Sequence, residues 1–195
     1  MLNLISCTNQ LRAAKSVMDS IGITKISSSA CSHSQLENSL QIETRLLSLQ
    51  QELVIQPGST SGTIDNTRIM FTAELYRIAA VLYFYQTVPA TFVPTVSPQD
   101  LLRNGLDILW EMKICSSPWP LFILACSVID DEDRIRILDL IETSGSSRRI
   151  GNYSIIAGLV KVVWKRQDLI TDENAKRIVD WRDLVEESGY MPSFI

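Results

Sequence analysis

The sequence predicts an all-α fold, a single antiparallel bundle of about seven to eight helices. Three observations carry that expectation. Apolar residues recur at helical spacing through most of the 195 residues. Prolines, glycines and capping residues interrupt that spacing at short intervals. No segment carries the apolar–polar alternation of a half-buried strand, and no internal repeat is evident. At this length one domain over residues 1–195 buries a single core.

Residues 1–20 read as a helix with Leu4, Leu11 and Val17 or Met18 inward, and Ser27 to Ser34 as a Ser-rich loop. Residues 34–54 place Leu36, Leu40, Leu47 and Val54 on one stripe, with Leu46, Leu49 and Leu53 beside it. Ser34 and Glu37 have the spacing of a capping box, in which each side chain satisfies an orphan amide of the other. Pro57 to Gly62 then read as an exposed loop. The segment Thr67 to Thr87 is apolar almost all round, through Ile69, Phe71, Leu75, Ile78, Ala79, Leu82, Tyr83 and Phe84, as suits the centre of a bundle. Pro89 and Pro94 end it.

Ser97-Pro98-Gln99-Asp100 opens the next helix with a cap, a first-turn proline and an acid at the positive helix end. Leu102, Leu106, Leu109 and Trp110 form its core side. Pro118 and Pro120 start the helix 119–129, where a missing amide hydrogen does no harm. Asp130 to Asp133 cap its successor, with Ile135, Leu138 and Ile141 inward. The Gly145-Ser146-Ser147 loop leads into helix 152–166, carrying Ile155, Ile156, Leu159, Val162 and Val163. A final helix covers roughly Asp172 to Glu187.

Composition excludes several classes. With 46% apolar and 21% charged residues the chain is an ordinary globular one. A net charge of −4 and a pI near 5.1 argue against direct nucleic-acid contact, which needs clustered Lys and Arg. Here the basic residues are scattered or paired, as in Arg148-Arg149 and Lys165-Arg166. The apolar windows 69–85 and 119–129 do not span a bilayer: the first holds Glu74 and Arg77, and the second is too short. The N-terminus has neither the basic start nor the long apolar run of a signal peptide, so the chain is expected inside the cell and off the membrane. Cys7, Cys31, Cys115 and Cys126 make no Cys-x-x-Cys pair, and no disulfide is expected.

The chemical motifs are mostly negative. Asp130-Asp131-Glu132-Asp133 approaches the Asp-Asp-x-x-Asp magnesium motif of all-α isoprenoid synthases, but the fifth position is Arg134; helix capping explains the acids. His33, the one histidine, sits near Cys31 in Ser-rich text, a poor setting for a catalytic pair. No glycine-rich phosphate loop or Gly-x-Ser-x-Gly elbow occurs. The expectation is a non-enzyme with no metal and no cofactor. Tyr83, Trp110, Trp119 and Phe122 are the candidate lining of an apolar pocket, set against the plainer reading that the aromatics, with Trp164 and Trp181, lock helices together. Arg134 and Arg182 are expected to pair with nearby acids such as Asp130 and Glu186.

One ordered set of landmarks goes further. Ala73 to Tyr85 resembles the "YR-A-LLYLY" helix of the fungal-specific transcription factor domain, the regulatory half of zinc-cluster regulators, in the branch that includes sterol-responsive factors. Trp119 to Cys126 is similar to that family's "WPLFIAGCEA" segment. Asp133-Arg134, Asn152, Val163-Trp164, Asp180-Trp181-Arg182 and Gly189 fall at its later positions. The likeness is clear over residues 66–190 and vague over 1–60, so the chain looks like the C-terminal half of the domain. Ala125-Cys126-Ser127-Val128 departs from the usual Gly-Cys-Glu-Ala and lacks its acid. Four cysteines do not build the family's six-cysteine zinc cluster, so DNA reading by that route is not expected of these residues.

The resemblance implies an all-helical regulatory or interaction domain of a fungal transcription regulator, acting in the nucleus, or otherwise in the cytoplasm. Its partners are expected to be another protein or a second copy, met through an apolar helical face. The alternatives are a carrier or sensor of an apolar, sterol-like small molecule and, third, an all-α enzyme on an apolar substrate. The absence of an acid, base and metal set speaks against the last.

Overall fold

The computed structural model describes residues 28–50, 63–88, 91–148, 152–170, 179 and 181–188. Among these there are seven helices and no strand: α1 Ser28–Leu47, α2 Thr63–Thr87, α3 Pro98–Met112, α4 Pro118–Ser127, α5 Asp131–Arg148, α6 Asn152–Asp168 and α7 Trp181–Ser188. The expected helix at 1–20, the loop at Pro57 to Gly62, Pro89, the start of the last helix at Asp172, Cys7 and Gly189 lie outside the described residues.

Two helices make the centre. In α4 every residue but Trp119 is buried, because Leu121, Phe122, Ile123, Leu124 and Ala125 leave no polar face to turn outward. It packs against α2, α3 and α6. The second half of α2, from Ile78 to Phe84, is likewise buried all round. Its first half emerges into solvent, so Ile69, expected on the apolar face, is exposed beside Met70. Helix α3 crosses both closely at Gly105: a side chain there would begin 2.4 Å from Leu124 Cδ2 and 3.3 Å from Ile78 Cγ2. A larger residue there would force Leu124 to move.

Local signals place the helix ends. Ser97 Oγ accepts the Asp100 amide at 3.3 Å with Pro98 in the first turn, as expected. Lys113 ends α3 in a left-handed conformation, φ 58°, its amide donating to the Leu109 carbonyl. Asp130 caps α5, its carboxylate accepting the amides of Glu132 at 2.9 Å and Asp133 at 3.2 Å. Helix α5 then runs through Gly145-Ser146-Ser147, which composition marks as a loop. Tyr153 Cβ sits 3.0 Å from where a Gly145 side chain would begin, so α6 seats directly on that turn and holds it helical.

Helix α1 departs most from expectation. It starts at Ser28, so the Ser-rich stretch is helical and Ser34 lies inside it rather than at its cap. Serine costs a helix interior only about half a kcal/mol relative to alanine. The helix stops at Leu47, not at 54, where Ser48 Oγ donates to the Arg45 carbonyl and the Leu49 amide turns back to Leu46. The predicted stripe is also rotated. Leu36 and Leu40 are 38% and 44% exposed, and the buried line is Ser39, Glu43 and Leu46. Outside the core, Ile135 and Val162 are exposed where they were expected inward.

Candidate functional site

Three of the four predicted pocket residues share one aromatic seam. Trp119 stacks on Tyr76 of α2, centroids 5.8 Å apart and planes at 18°, and meets Tyr83 edge-on at 6.2 Å. The Arg182 guanidinium of α7 lies over the Tyr83 ring at 4.7 Å and over its neighbour Trp181 at 5.7 Å. Trp181 in turn meets Phe122 of α4 edge-on at 5.0 Å. Tyr83, Phe122, Trp181 and Arg182 are buried, whereas Tyr76 and Trp119 are half-buried. The seam therefore joins α2, α4 and α7 and opens to solvent at the Tyr76–Trp119 end. Trp110 stands apart on α3, half-buried under the Arg136 guanidinium of α5 at 4.2 Å.

A second cluster holds α4, α5 and α6 together. Arg134 is buried beside the Trp164 ring, 5.3 Å from its centroid. Its Nη1 reaches Asp168 at 3.0 Å and Asp131 at 3.4 Å, and Nη2 donates to Gln167 Oε1 at 3.3 Å. The expected partner Asp130 is instead occupied by capping, because its carboxylate already accepts two amides. For Arg182 the expected partner Glu186 has its side chain outside the described residues. Trp164 Nε1 donates to the Ala125 carbonyl and Gln167 Nε2 to that of Cys126, both at 2.8 Å. Side chains of α6 thus satisfy the orphan carbonyls at the end of α4.

A third cluster was missed from the sequence. Glu43 of α1 is buried, and its carboxylate accepts hydrogen bonds from the Tyr85 hydroxyl at 2.6 Å, the Thr95 amide at 2.8 Å and the Thr95 hydroxyl. Burial, and then the nearby Glu43, push the Tyr85 hydroxyl well above its ordinary range. The signal was weak: a lone acid among leucines on a helix reads as a solvated position.

These clusters offer little chemistry of their own. Burial pushes the Cys126 thiol far up, which removes its thiolate. Cys115 is buried with its sulfur donating to the Ser117 carbonyl at 3.4 Å. Among the described residues no group of three or more His, Cys, Asp or Glu is placed to hold a metal. No described helix is long and apolar enough to cross a membrane. Among the described landmarks, Asp133 pairs with Arg103, Arg134 with Asp131 and Asp168, Trp164 bonds the Ala125 carbonyl, and Trp181 packs on Phe122.

Transcription factor iacI of Pestalotiopsis fici is 24% identical over 105 residues, which are 54% of this chain and 27% of that protein. The chain thus matches about a quarter of that relative's length. No solved structure matches the chain. The fungal specific transcription factor domain matches residues 1–195, including the first sixty, where the resemblance was only vague. The chain belongs to the fungal-specific transcription factor domain family.

Proposed function

We propose that this chain is a regulatory and interaction module of a fungal transcription regulator, acting in the nucleus through helix packing rather than through bond-making or direct contact with DNA. The observation that carries the reading is the state of the landmarks. Asp133-Arg134, Val163-Trp164 and Trp181-Arg182 lie in the interior or across its seams, where they fasten α4 to α5, α6 and α7. Residues with that task define a receiver's shape, and the surface around them meets partners. The acidic net charge supports protein rather than nucleic acid as the partner.

The test is to tether the chain to an unrelated DNA-binding domain above a reporter. A change in reporter output that is lost when Phe122→Ala melts the core supports the reading. Reporter output identical with and without the tethered chain overturns it.

A second reading, a sensor for a sterol-like molecule, has one observation in its favour: the aromatic seam is incompletely covered at Tyr76 and Trp119. Saturable quenching of tryptophan fluorescence by ergosterol, weakened in Tyr76→Ala, supports it. Unchanged emission across the sterol's soluble range removes it.

A further inference from the structure

Helices α5 and α6 lie antiparallel, and their outward faces differ in sign. Arg134 at the start of α5 bonds Asp168 at the end of α6, and Gly145 near the end of α5 sits against Tyr153 at the start of α6. That register sets Ile135 level with Lys165, Asp139 with Lys161, and Glu142 with Gly158. The exposed positions of α5 include Glu132, Ile135, Asp139 and Glu142 along one stripe, with Arg136 beside it; those of α6 include Gly158, Lys161, Val162, Lys165 and Arg166, and Leu169 just past its end is exposed too. The α5 stripe is predominantly acidic and the α6 stripe predominantly basic, and exposed aliphatic residues lie beside the charges. Ile135 is 62% exposed, Val162 49% and Leu169 71%. Among the described charges nearby, Asp131 and Asp168 bond Arg134, and Arg136 lies over Trp110.

Gly158 adds an independent observation. Among the described residues a side chain there would meet nothing within 4 Å, so no described contact calls for glycine in the middle of α6. Glycine at such a position weakens a helix relative to alanine. It is the residue that lets another backbone come close.

We propose that the outer face of α5 and α6 is a self-association surface whose occupant is a second copy of this chain. The proposal rests on the interaction-module reading and names its partner. Charge complementarity selects the arrangement. A twofold axis parallel to the helix pair lays α5 of each copy on α6 of the other, antiparallel and in the register of the native hairpin. Asp139 then faces Lys161 of the second copy, and Ile135 enters the hollow between Val162 and Leu169. Glu142 lies over Gly158, where the chains approach most closely. An axis across the helices would set α5 on α5, acid against acid, and is disfavoured. Helices of this length, rising about 1.5 Å per residue and about 10 Å apart, cover roughly 1,000 Å² in total across both copies. That area is at the lower end for specific complexes, so the dimer is a weak, salt-sensitive one.

Sedimentation of the full chain over a concentration series tests this. Asp139→Lys with Glu142→Lys, and separately Lys161→Glu with Lys165→Glu, are each expected to weaken self-association by roughly tenfold or more. Mixing the two variants is expected to restore a dimer, which also establishes that both are folded. Gly158→Leu is expected to abolish the dimer while leaving the helical circular dichroism unchanged. A chain that stays monomeric at high concentration and low salt overturns the proposal, as does a dimer indifferent to all three changes. A monomeric chain that still changes reporter output leaves the regulatory reading standing and removes only the second copy as partner.

Discussion

Helices α4 and α1 are held by opposite means. Helix α4 is short and apolar, and it touches neighbours on every side, so its place is set by area removed from water. Helix α1 is twice as long, packs chiefly against α2, and buries a line made of Ser39, Glu43 and Leu46. Its register rests on one carboxylate that three donors satisfy. Apolar contact is non-directional and tolerates small shifts. A buried carboxylate is directional, and it is costly to leave without partners. The centre of this molecule is therefore robust in kind, and its first described helix depends on one group.

That contrast can be broken experimentally. Phe122→Ala on α4 is expected to have the largest effect, about 3–5 kcal/mol, read as a fall in the denaturation midpoint. Trp119→Ala is expected to cost less, about 2 kcal/mol, because the indole is half-buried and its seam is open to water; equal losses for the two would show that the seam is closed. Glu43→Ala is expected to cost about 1–3 kcal/mol by stranding the Tyr85 hydroxyl and the Thr95 amide, with Glu43→Gln recovering part of it. Hydrogen exchange in that variant should rise in α1 well before α4; uniform acceleration would contradict the contrast.

The Tyr85–Glu43 bond adds a pH signature. An unfolded tyrosine ionises near pH 10, roughly its ordinary value. In the fold the hydroxyl is held protonated to higher pH. Its contribution is therefore full below that pH and is lost as pH rises from there toward the folded value. The wild-type chain should lose stability more steeply than Tyr85→Phe in that alkaline range, and parallel curves would deny the linkage. The smallest effect belongs to α1's outer side. Leu36→Ser is expected to stay within about 0.5 kcal/mol of wild type in thermal unfolding, because that leucine is exposed.

Legibility in the sequence follows the same division. The all-helical class, the central place of the Thr67 to Thr87 segment over its second half, the apolar helix 119–129, and the capped starts of α3 and α5 were readable. There propensity, apolar pattern and burial point the same way. The extent of α1 was not readable, because its serines suit a loop and a helix about equally. Its inward face was misread because leucine spacing alone cannot know that Tyr85 and Thr95 will wait for Glu43. Ile135 was misassigned for a similar reason: α5 packs mainly on α6, and Asp133, Arg134, Ile137 and Ile141 already occupy its inward side. At the aromatic seam, Tyr83, Trp119 and Phe122 were anticipated together. The stacking of Tyr76 and the capture of Arg182 between rings were not, and Trp110 belongs elsewhere.

Residue order alone carried the helical class, the most apolar segments and the family, because each rests on short-range pattern and side-chain type. Folding in three dimensions settled which polar groups turn inward, which acid each arginine takes, and which rings meet. Those outcomes depend on donors and faces brought together from distant parts of the chain, and no local period encodes them.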